Sequence, residues 1–286
     1  MQIDTLVDGL VFPEGPRWRD GALWFSDIWD DRVCRVSPQG SCTTVARLEQ
    51  PSGLGWLPDG RLLVVAMGAR QVMRLEPDGD LVVHADLSGF VDWPCNDMVV
   101  ATDGTAYVGH FGWDRQYGTT EPMAASVLRV QPDGAIDVAA DDLLFPNGMA
   151  ITPDGSTLIV AESSASKVTA FDRHADGSLA NRRVFADFAG FAASEGHEAV
   201  RPDGICLDAD GALWVPDPAG RRVLRVLDGG TVTETTAIPD AAPLACVVGG
   251  IDGRTLFITF ASIFEQQEAR SARRGSIGVA VLPPLN

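Results

Sequence analysis

Six positions at one register of an internal repeat bring together side chains that could bind a metal ion. Counting back seven residues from the Asp of each repeated Asp-Gly turn (six in the first repeat) gives Glu14, Ser52, Asn96, Asn147, Asp203 and Ala245. Four of these residues carry a carboxylate or carboxamide oxygen. Hard divalent cations such as Ca²⁺ and Mg²⁺ take oxygen ligands, whereas Zn²⁺ usually takes His or Cys. If the fold gathers these side chains, they form an oxygen cage for one cation.

An alternative interpretation of the same residues is that they only form turns. Pro-Asn-Gly at 146–148 and Pro-Asp-Gly at 202–204 are ordinary turn sequences. Plain turns do not explain why Glu14, Asn147 and Asp203 share one register while the Asp-Gly turns occupy another. We favour the cage, because lone polar residues on inner strands are costly to bury unless they are satisfied.

The spacing of the Asp-Gly turns predicts the fold that positions these residues. The turns begin at Asp20, Asp59, Asp103, Asp154, Asp210 and Asp252. The intervals of 39, 44, 51, 56 and 42 residues match one four-stranded propeller blade each. We predict an all-β fold, a six-bladed β-propeller of four-stranded antiparallel blades, with residues 1–286 as a single domain. A closed ring of blades aims its inner strands at a central channel, where the six positions would converge.

Both ends of the chain carry apolar, strand-like runs that can close the ring. Ile3–Val7 precedes the first repeat, and Gly278–Leu282 follows the last. We expect the two runs to complete one blade together, because an unclosed ring would leave sheet edges exposed. No sustained amphipathic helix is predicted, and Ser262–Arg274 is expected to be a loop or a single helical turn.

Composition narrows the class of protein and its partners. The 286 residues are 45% hydrophobic and 21% charged, with a formal net charge of −17. This acidity argues against a nucleic-acid partner. No long apolar run or signal peptide is recognisable, and five scattered cysteines indicate reduced thiols. We expect a cytoplasmic protein with a small-molecule partner, no nucleic acid and no membrane, as a monomer or small homo-oligomer.

Four motifs, in order along nearly the whole chain, resemble one propeller family. They are Phe12-Pro13-Glu14-Gly15-Pro16-Arg17-Trp18, Asn96-Asp97, Phe145-Pro146-Asn147-Gly148 and Pro202-Asp203-Gly204-Ile205. The chain resembles the senescence-marker-protein/gluconolactonase/luciferin-regenerating-enzyme family of six-bladed propellers. The resemblance implies one divalent cation, most often Ca²⁺, in the channel, with Mg²⁺, Mn²⁺, Zn²⁺ or Fe²⁺ as alternatives. Its implied ligands are Glu14, Asn147 and Asp203, with Asn96 completing the site or contacting substrate.

The activity that the resemblance implies is hydrolysis of a sugar lactone or another cyclic ester. One position departs from that pattern, because sugar-lactone members often have an arginine two residues before the Asn-Asp motif, and this chain has Pro94. The surrounding residues 91–95 are bulky and partly apolar. The departure leaves room for a more apolar lactone or ester.

The expected mechanism is metal-assisted hydrolysis, in which the cation polarises the substrate carbonyl and acidifies a bound water. Asp203 is our first candidate for orienting or deprotonating that water, and His110 is the second because a ligated carboxylate is a weak base. A structural role is the alternative for His110. No Gly-x-Ser-x-Gly elbow is present, which argues against a serine hydrolase.

Further candidates for substrate binding lie in two long connections and at one strand end. Trp113 and Tyr117 could form a substrate wall, and His197 lies in the second long connection. Glu162 could line the pocket or face solvent. Two other functions stay open: a propeller phosphotriesterase using the same ion, and a non-hydrolytic calcium-binding or biosynthetic propeller.

Overall fold

The computed structural model describes residues 1–113 and 123–283, which form six four-stranded antiparallel sheets. The first five sheets are consecutive in sequence, and each runs from an inner strand to an outer strand. Blade 1 comprises β2 (Pro13–Arg19), β3 (Ala22–Asp27), β4 (Arg32–Val36) and β5 (Cys42–Arg47). Blade 2 comprises β6 (Pro51–Trp56), β7 (Leu62–Ala66), β8 (Gln71–Leu75) and β9 (Leu81–Asp86). The predicted propeller is confirmed.

The next three blades repeat the arrangement. Blade 3 comprises β10 (Cys95–Val100), β11 (Ala106–His110), β12 (Ala125–Val130) and β13 (Ile136–Leu143). Blade 4 comprises β14 (Pro146–Ile151), β15 (Thr157–Glu162), β16 (Lys167–Arg173) and β17 (Leu179–Asp187). Blade 5 comprises β18 (Cys206–Leu207), β19 (Leu213–Asp217), β20 (Arg222–Val226) and β21 (Val232–Ala237).

The sixth blade joins the two ends of the chain. Its strands are β22 (Ala242–Gly249), β23 (Thr255–Ala261), β24 (Gly275–Val281) and, as the outer strand, β1 (Asp4–Leu10). Asp4 pairs with Val279 and Leu10 with Gly275, so the N-terminal strand covers the edge that β24 would otherwise expose. This is the predicted closure of the ring.

In the described residues, three short helices lie in the connections: a 3₁₀ helix at Ile28–Asp30, α1 at Ala189–Ser194 and α2 at Gln266–Ala272. The expectation of a loop or single turn for Ser262–Arg274 was therefore wrong. Helix α2 forms because Glu265 caps it, accepting the backbone N–H groups of Gln267 at 3.0 Å and Glu268 at 2.7 Å. None of the helices in the described part is long and apolar enough to span a membrane.

The hydrophobic core is divided among the interfaces between neighbouring blades. Each of six buried clusters takes its side chains from two adjacent blades, as Leu213 and Val215 of blade 5 pack with Ile159 and Val168 of blade 4. Burial falls from the inner strands, such as β6, to the outer strands, such as β9. The alternating apolar residues of each repeat thus pack one blade against the next, and the inner strands surround the channel.

Glycine lets the inner strands approach each other closely beside the candidate ligands. A Cβ on Gly148 would lie 2.4 Å from the backbone oxygen of Asp203, and one on Gly204 would lie 2.2 Å from the Cβ of Ala245. Any larger residue must push neighbouring blades apart. The glycine of each Pro-x-Gly motif therefore sets the spacing between the residues that precede it.

We expect Gly148→Ala to lower the free energy of unfolding by about 2 kcal/mol, the usual cost of overpacking a tight interior. Denaturant unfolding of the purified variant measures this loss. Gly89→Ala is the matched control, because a Cβ at Gly89 meets nothing within 4 Å. Equal stability of the two variants would contradict close packing at Gly148.

Candidate functional site

The first residues of the inner strands all lie at one end of the channel. Because successive strands of a blade are antiparallel, the start of the first strand, the end of the second and the connection from the previous blade meet at the same end. Glu14, Ser52, Asn96 and Asn147 are each the second residue of their inner strand. Asp203 lies just before β18, where its backbone N–H donates to Pro216 O at 3.1 Å.

Hydrogen bonds join four of these side chains across blades 2 to 5. Ser52 Oγ donates to Asn96 Oδ1 at 3.4 Å, and Asn96 Nδ2 donates to Asn147 Oδ1 at 2.8 Å. Asn147 Nδ2 then donates to Asp203 Oδ1 at 2.5 Å. The structure thus brings together residues that are up to 151 positions apart in sequence, between Ser52 and Asp203.

Ser163 also belongs to this network, although its sequence context gave no signal for it. Its hydroxyl accepts from Asn147 Nδ2 at 3.1 Å and donates to Pro202 O at 2.6 Å. The hydroxyl therefore ties the side chain of one candidate ligand to the backbone that precedes the next.

Glu14 interacts electrostatically with the same cluster from blade 1. Burial of its carboxyl, and then the negative charge of Asp203, raise the pKa of Glu14 well above its usual range. The Gly15 N–H, which donates to Glu14 Oε2 at 3.0 Å, and the Arg17 guanidinium act in the opposite direction. The negative charge of Asp203 therefore disfavours the charged form of Glu14.

The donor set fits a hard divalent cation. In residues 1–113 and 123–283, no group of three or more His, Cys, Asp and Glu side chains is placed to hold a metal. The cluster instead offers the carboxylates of Glu14 and Asp203 with the amides of Asn96 and Asn147. Such mixed carboxylate and amide oxygens suit Ca²⁺ or Mg²⁺, and a cation among them would offset the repulsion that raises the pKa of Glu14.

His110 ends β11, and its side chain is buried against the next strand of its own blade. Its Nε2 accepts the Ser126 N–H at 2.9 Å, so Nδ1 carries the proton of the neutral ring. Nδ1 has no hydrogen-bond partner in the described part of the chain. Burial lowers the pKa of His110 to about 4, with Asp92 opposing the shift. Its proposed role as a base requires breaking the Ser126 bond and stays a prediction.

Trp113, His197 and Glu162 are the other predicted substrate-binding residues that the structure describes. Trp113 packs edge-on against Phe145, with ring centroids 5.5 Å apart. Tyr117 lies outside the described residues. His197 lines a cavity of about 320 Å³ together with Arg201 and Ala219, close in sequence to Asp203. Glu162 is fully buried and faces neither solvent nor an open cavity, since its Oε2 accepts the Leu144 N–H at 2.9 Å.

Apolar side chains surround the channel mouth on all blades except blade 5. We call this group the apolar collar; its buried members are Phe12, Ile28, Met67, Phe111, Phe145, Leu244 and Ala261, with Trp29 and Trp113 packed against them. Phe12 contacts Trp29 with ring centroids 4.1 Å apart, and Phe111 contacts Phe145 at 4.8 Å. In blade 5, the residue two positions before Asp203 is the exposed Arg201. Among the described residues, the collar is thus apolar in five blades, and blade 5 has an exposed basic residue at the equivalent place.

The family of the chain follows from comparison of its sequence with known families. Residues 12–262 match the family described as SMP-30/Gluconolactonase/LRE-like region. The chain belongs to this family. The family is the one that the four motifs resembled, and the matched segment contains Glu14, Asn96, Asn147 and Asp203.

Individual relatives cover almost the whole chain. Regucalcin of Xenopus laevis is 28% identical, with 92% of this chain and 88% of the relative aligned. The 6-deoxy-6-sulfogluconolactonase of Pseudomonas putida is 27% identical, with 92% and 86% aligned. Among solved structures, XC5397 from Xanthomonas campestris, described as a gluconolactonase, is 26% identical with a TM-score of 0.75, and 98% of this chain and 89% of that chain align.

The low pKa of His110 predicts how the free energy of unfolding changes with pH. Because the folded state holds His110 with a pKa of about 4, below the usual value of 6.5, its contribution to stability is present above pH 6.5 and is lost as the pH falls towards 4. We expect this loss to be about 2 kcal/mol at pH 4.5. Denaturant unfolding at pH 7.5 and 4.5 measures it.

The control is His110→Gln, which removes the titrating group. Its free energy of unfolding should fall less than that of the wild type between the two pH values, since every other group is shared. An equal fall in both proteins would show that His110 does not titrate as its burial indicates.

Proposed function

We propose that the protein is a divalent-cation-dependent hydrolase that opens a lactone. The observation that carries the proposal is the convergence of Glu14, Asn96, Asn147 and Asp203 from four blades at one end of the channel, joined in part by the hydrogen bonds from Asn96 to Asn147 and from Asn147 to Asp203. Membership of the family and similarity to relatives named as gluconolactonases support the reaction class.

The cation that suits the site best is Ca²⁺, held by Glu14, Asn147 and Asp203 with Asn96 as a further amide donor. When bound, the cation would supply Lewis-acid polarisation of the substrate carbonyl and acidify a water. The remaining groups have defined roles in this proposal. Asp203 orients that water and accepts its proton at a carboxylate oxygen, and Asn147 Nδ2 holds Asp203 Oδ1 in place.

We further propose that the preferred lactone carries an apolar substituent. The apolar collar covers five of the six blades around the site, and Pro94 replaces the arginine that sugar-lactone members often have there. On entering such a mouth, a polyhydroxylated ring would exchange hydrogen bonds with water for contacts with apolar side chains of the collar, which cannot replace them. An alkyl chain on the ring would instead bury apolar surface against Phe12, Met67 and Phe111.

Asp203→Ala should remove both cation binding and lactone hydrolysis, because it deletes a proposed ligand and the group proposed to activate water. Elemental analysis and calorimetric Ca²⁺ titration measure the first, and a lactone assay measures the second. Asp210→Ala is the control, because the exposed Asp210 lies in the same blade in the Asp-Gly turn at the other end. An active, metal-free Asp203→Ala protein would refute the ligand assignment.

A substrate panel tests the apolar preference. We expect kcat/KM for an alkyl-substituted δ-lactone to exceed that for glucono-δ-lactone at least about 10-fold, the discrimination that a few buried methylenes provide. Met67→Ala should lower kcat/KM for the alkyl lactone about 10-fold, with little effect on an unsubstituted ring. A preference for the sugar lactone would refute the apolar substituent, and turnover of phosphotriesters without lactones would refute the reaction class.

A further inference from the structure

Three buried carboxylates recur at one place in the blades that carry the candidate ligands. Asp27, Glu162 and Asp217 are the last residues of β3, β15 and β19, and each is 0% exposed. These strands belong to blades 1, 4 and 5, which carry Glu14, Asn147 and Asp203. The corresponding strands of blades 2, 3 and 6 end in Ala66, His110 and Ala261.

In blade 1, Asp27 binds the backbone that leads to Glu14. Its Oδ1 accepts the N–H groups of Val11 at 3.1 Å and Phe12 at 2.7 Å. Its Oδ2 accepts from Arg32 Nη2 at 3.0 Å. The carboxylate thus joins the entering segment to the third strand of the same blade, and the guanidinium compensates its buried charge.

In blade 4, Glu162 does the same for the backbone that leads to Asn147. Its Oε2 accepts the Leu144 N–H at 2.9 Å, and its Oε1 accepts from Thr169 Oγ1 at 2.5 Å. Lys167 Nζ and Arg182 Nη2 each lie 3.4 Å from Oε1. Leu144 lies three residues before Asn147, the same offset as Val11 before Glu14.

In blade 5, Asp217 binds the backbone that leads to Asp203. Its Oδ1 accepts the N–H groups of Arg201 at 3.0 Å and Gly220 at 3.1 Å, and its Oδ2 accepts from Arg222 Nε at 3.0 Å. All three carboxylates therefore share the same two kinds of partner, an entering backbone N–H and a basic side chain.

The proline before each candidate ligand explains why the entering backbone needs an external acceptor. Pro13, Pro146 and Pro202 have no N–H, so they cannot anchor the residue that follows by donating to a neighbouring strand. In each blade the carboxylate takes a backbone N–H one or two residues before the proline. Hydrogen bonds from N–H groups to a carboxylate are stronger than those to neutral acceptors, so they fix the position of the proline and of the ligand behind it.

The other blades have no fully buried carboxylate at the corresponding place. In blade 2, the N–H of Gln50 donates to Asp31, which pairs with Arg270 but is 37% exposed and lies beyond the second strand. In blade 6, the N–H of Ala245, at the register of the ligands themselves, donates to the Thr259 hydroxyl at 3.0 Å. Fully buried carboxylates at the second-strand end are thus confined, in the described residues, to the three blades with candidate ligands.

We propose that Asp27, Glu162 and Asp217 are positioning residues that hold Glu14, Asn147 and Asp203 in the arrangement a divalent cation requires. The inference rests on the proposed function, because it assigns a purpose to the geometry of the same site. Stability alone does not account for these groups, since a buried ion pair contributes little compared with well-packed apolar side chains. Their contribution is to pre-organise the ligands, so that cation binding does not have to order three separate segments.

Asp217→Asn tests the proposal, with Asp208→Asn as the matched control. Asp208 is a buried carboxylate of the same blade that also accepts backbone N–H groups and pairs with an arginine, with Arg225 Nε at 2.7 Å. It lies at the opposite end of the blade, before the Asp-Gly turn. Both variants lose a buried charge, but only Asp217→Asn disturbs the segment that enters the site.

Calorimetric titration of metal-free protein with Ca²⁺ is the first measurement. We expect Asp217→Asn to weaken Ca²⁺ binding about 10-fold, the usual effect of removing a group that supports metal ligands, and Asp208→Asn to change it less than about 2-fold. Hydrogen exchange of the Arg201 amide in the metal-free protein is the second, and it should be faster only in Asp217→Asn. If Asp217→Asn does not fold, Glu162→Gln replaces it, with the Leu144 amide as the reporter.

Equal loss of Ca²⁺ affinity in the two variants, or an unchanged Arg201 amide in Asp217→Asn, would overturn the proposal. If the proposed function is wrong, the wild type itself binds no divalent cation, and this result distinguishes that failure from failure of the positioning role. The exchange of the Arg201 amide does not depend on a metal, so in that case a protected amide in Asp217→Asn still overturns the positioning role and an exposed one supports it.

Discussion

The repulsion between Glu14 and Asp203 is the constraint on which the rest of the site depends. The fold gathers two acidic groups at one end of the channel, and the raised pKa of Glu14 records the cost of holding its carboxyl there beside the negative charge of Asp203. Such an arrangement persists only because the surrounding structure fixes both residues independently. Ring closure through β1 and β24, the close contact at Gly148 and the proline-led entry of each segment all act in that direction.

The division of the core among blade interfaces gives this constraint its rigidity. The inner strands β14 and β18 are packed from both sides by clusters shared with the neighbouring blades, so Asn147 and Asp203 cannot withdraw without disturbing two interfaces each. Hydrogen bonds between polar side chains then join blades 2 to 5, as from Asn147 to Asp203. Packing fixes the distances between the inner strands, and the hydrogen bonds of the Asn side chains fix which oxygen faces which donor.

The sequence predicted the fold and the convergent positions better than it predicted the surroundings of those positions. The Asp-Gly spacing and the apolar runs at both ends predicted six blades and their closure, because turn chemistry and strand periodicity are local. The roles of Asp27, Asp217 and Ser163 went unrecognised, because each depends on a partner from another strand or blade. Helix α2 was missed for a different reason: its cap, Glu265, is not one of the usual N-cap residues.

The pairing of β1 with β24 also governs the order in which the molecule can be completed. On a ribosome the outer strand of the sixth blade emerges before the other five blades and its three partners emerge after them, so that strand must wait until β24 has been translated. Contacts so distant along the chain form slowly, because a long loop has to close before they provide any stabilisation. The first five blades can assemble during synthesis, but the propeller stays open until β24 pairs with β1.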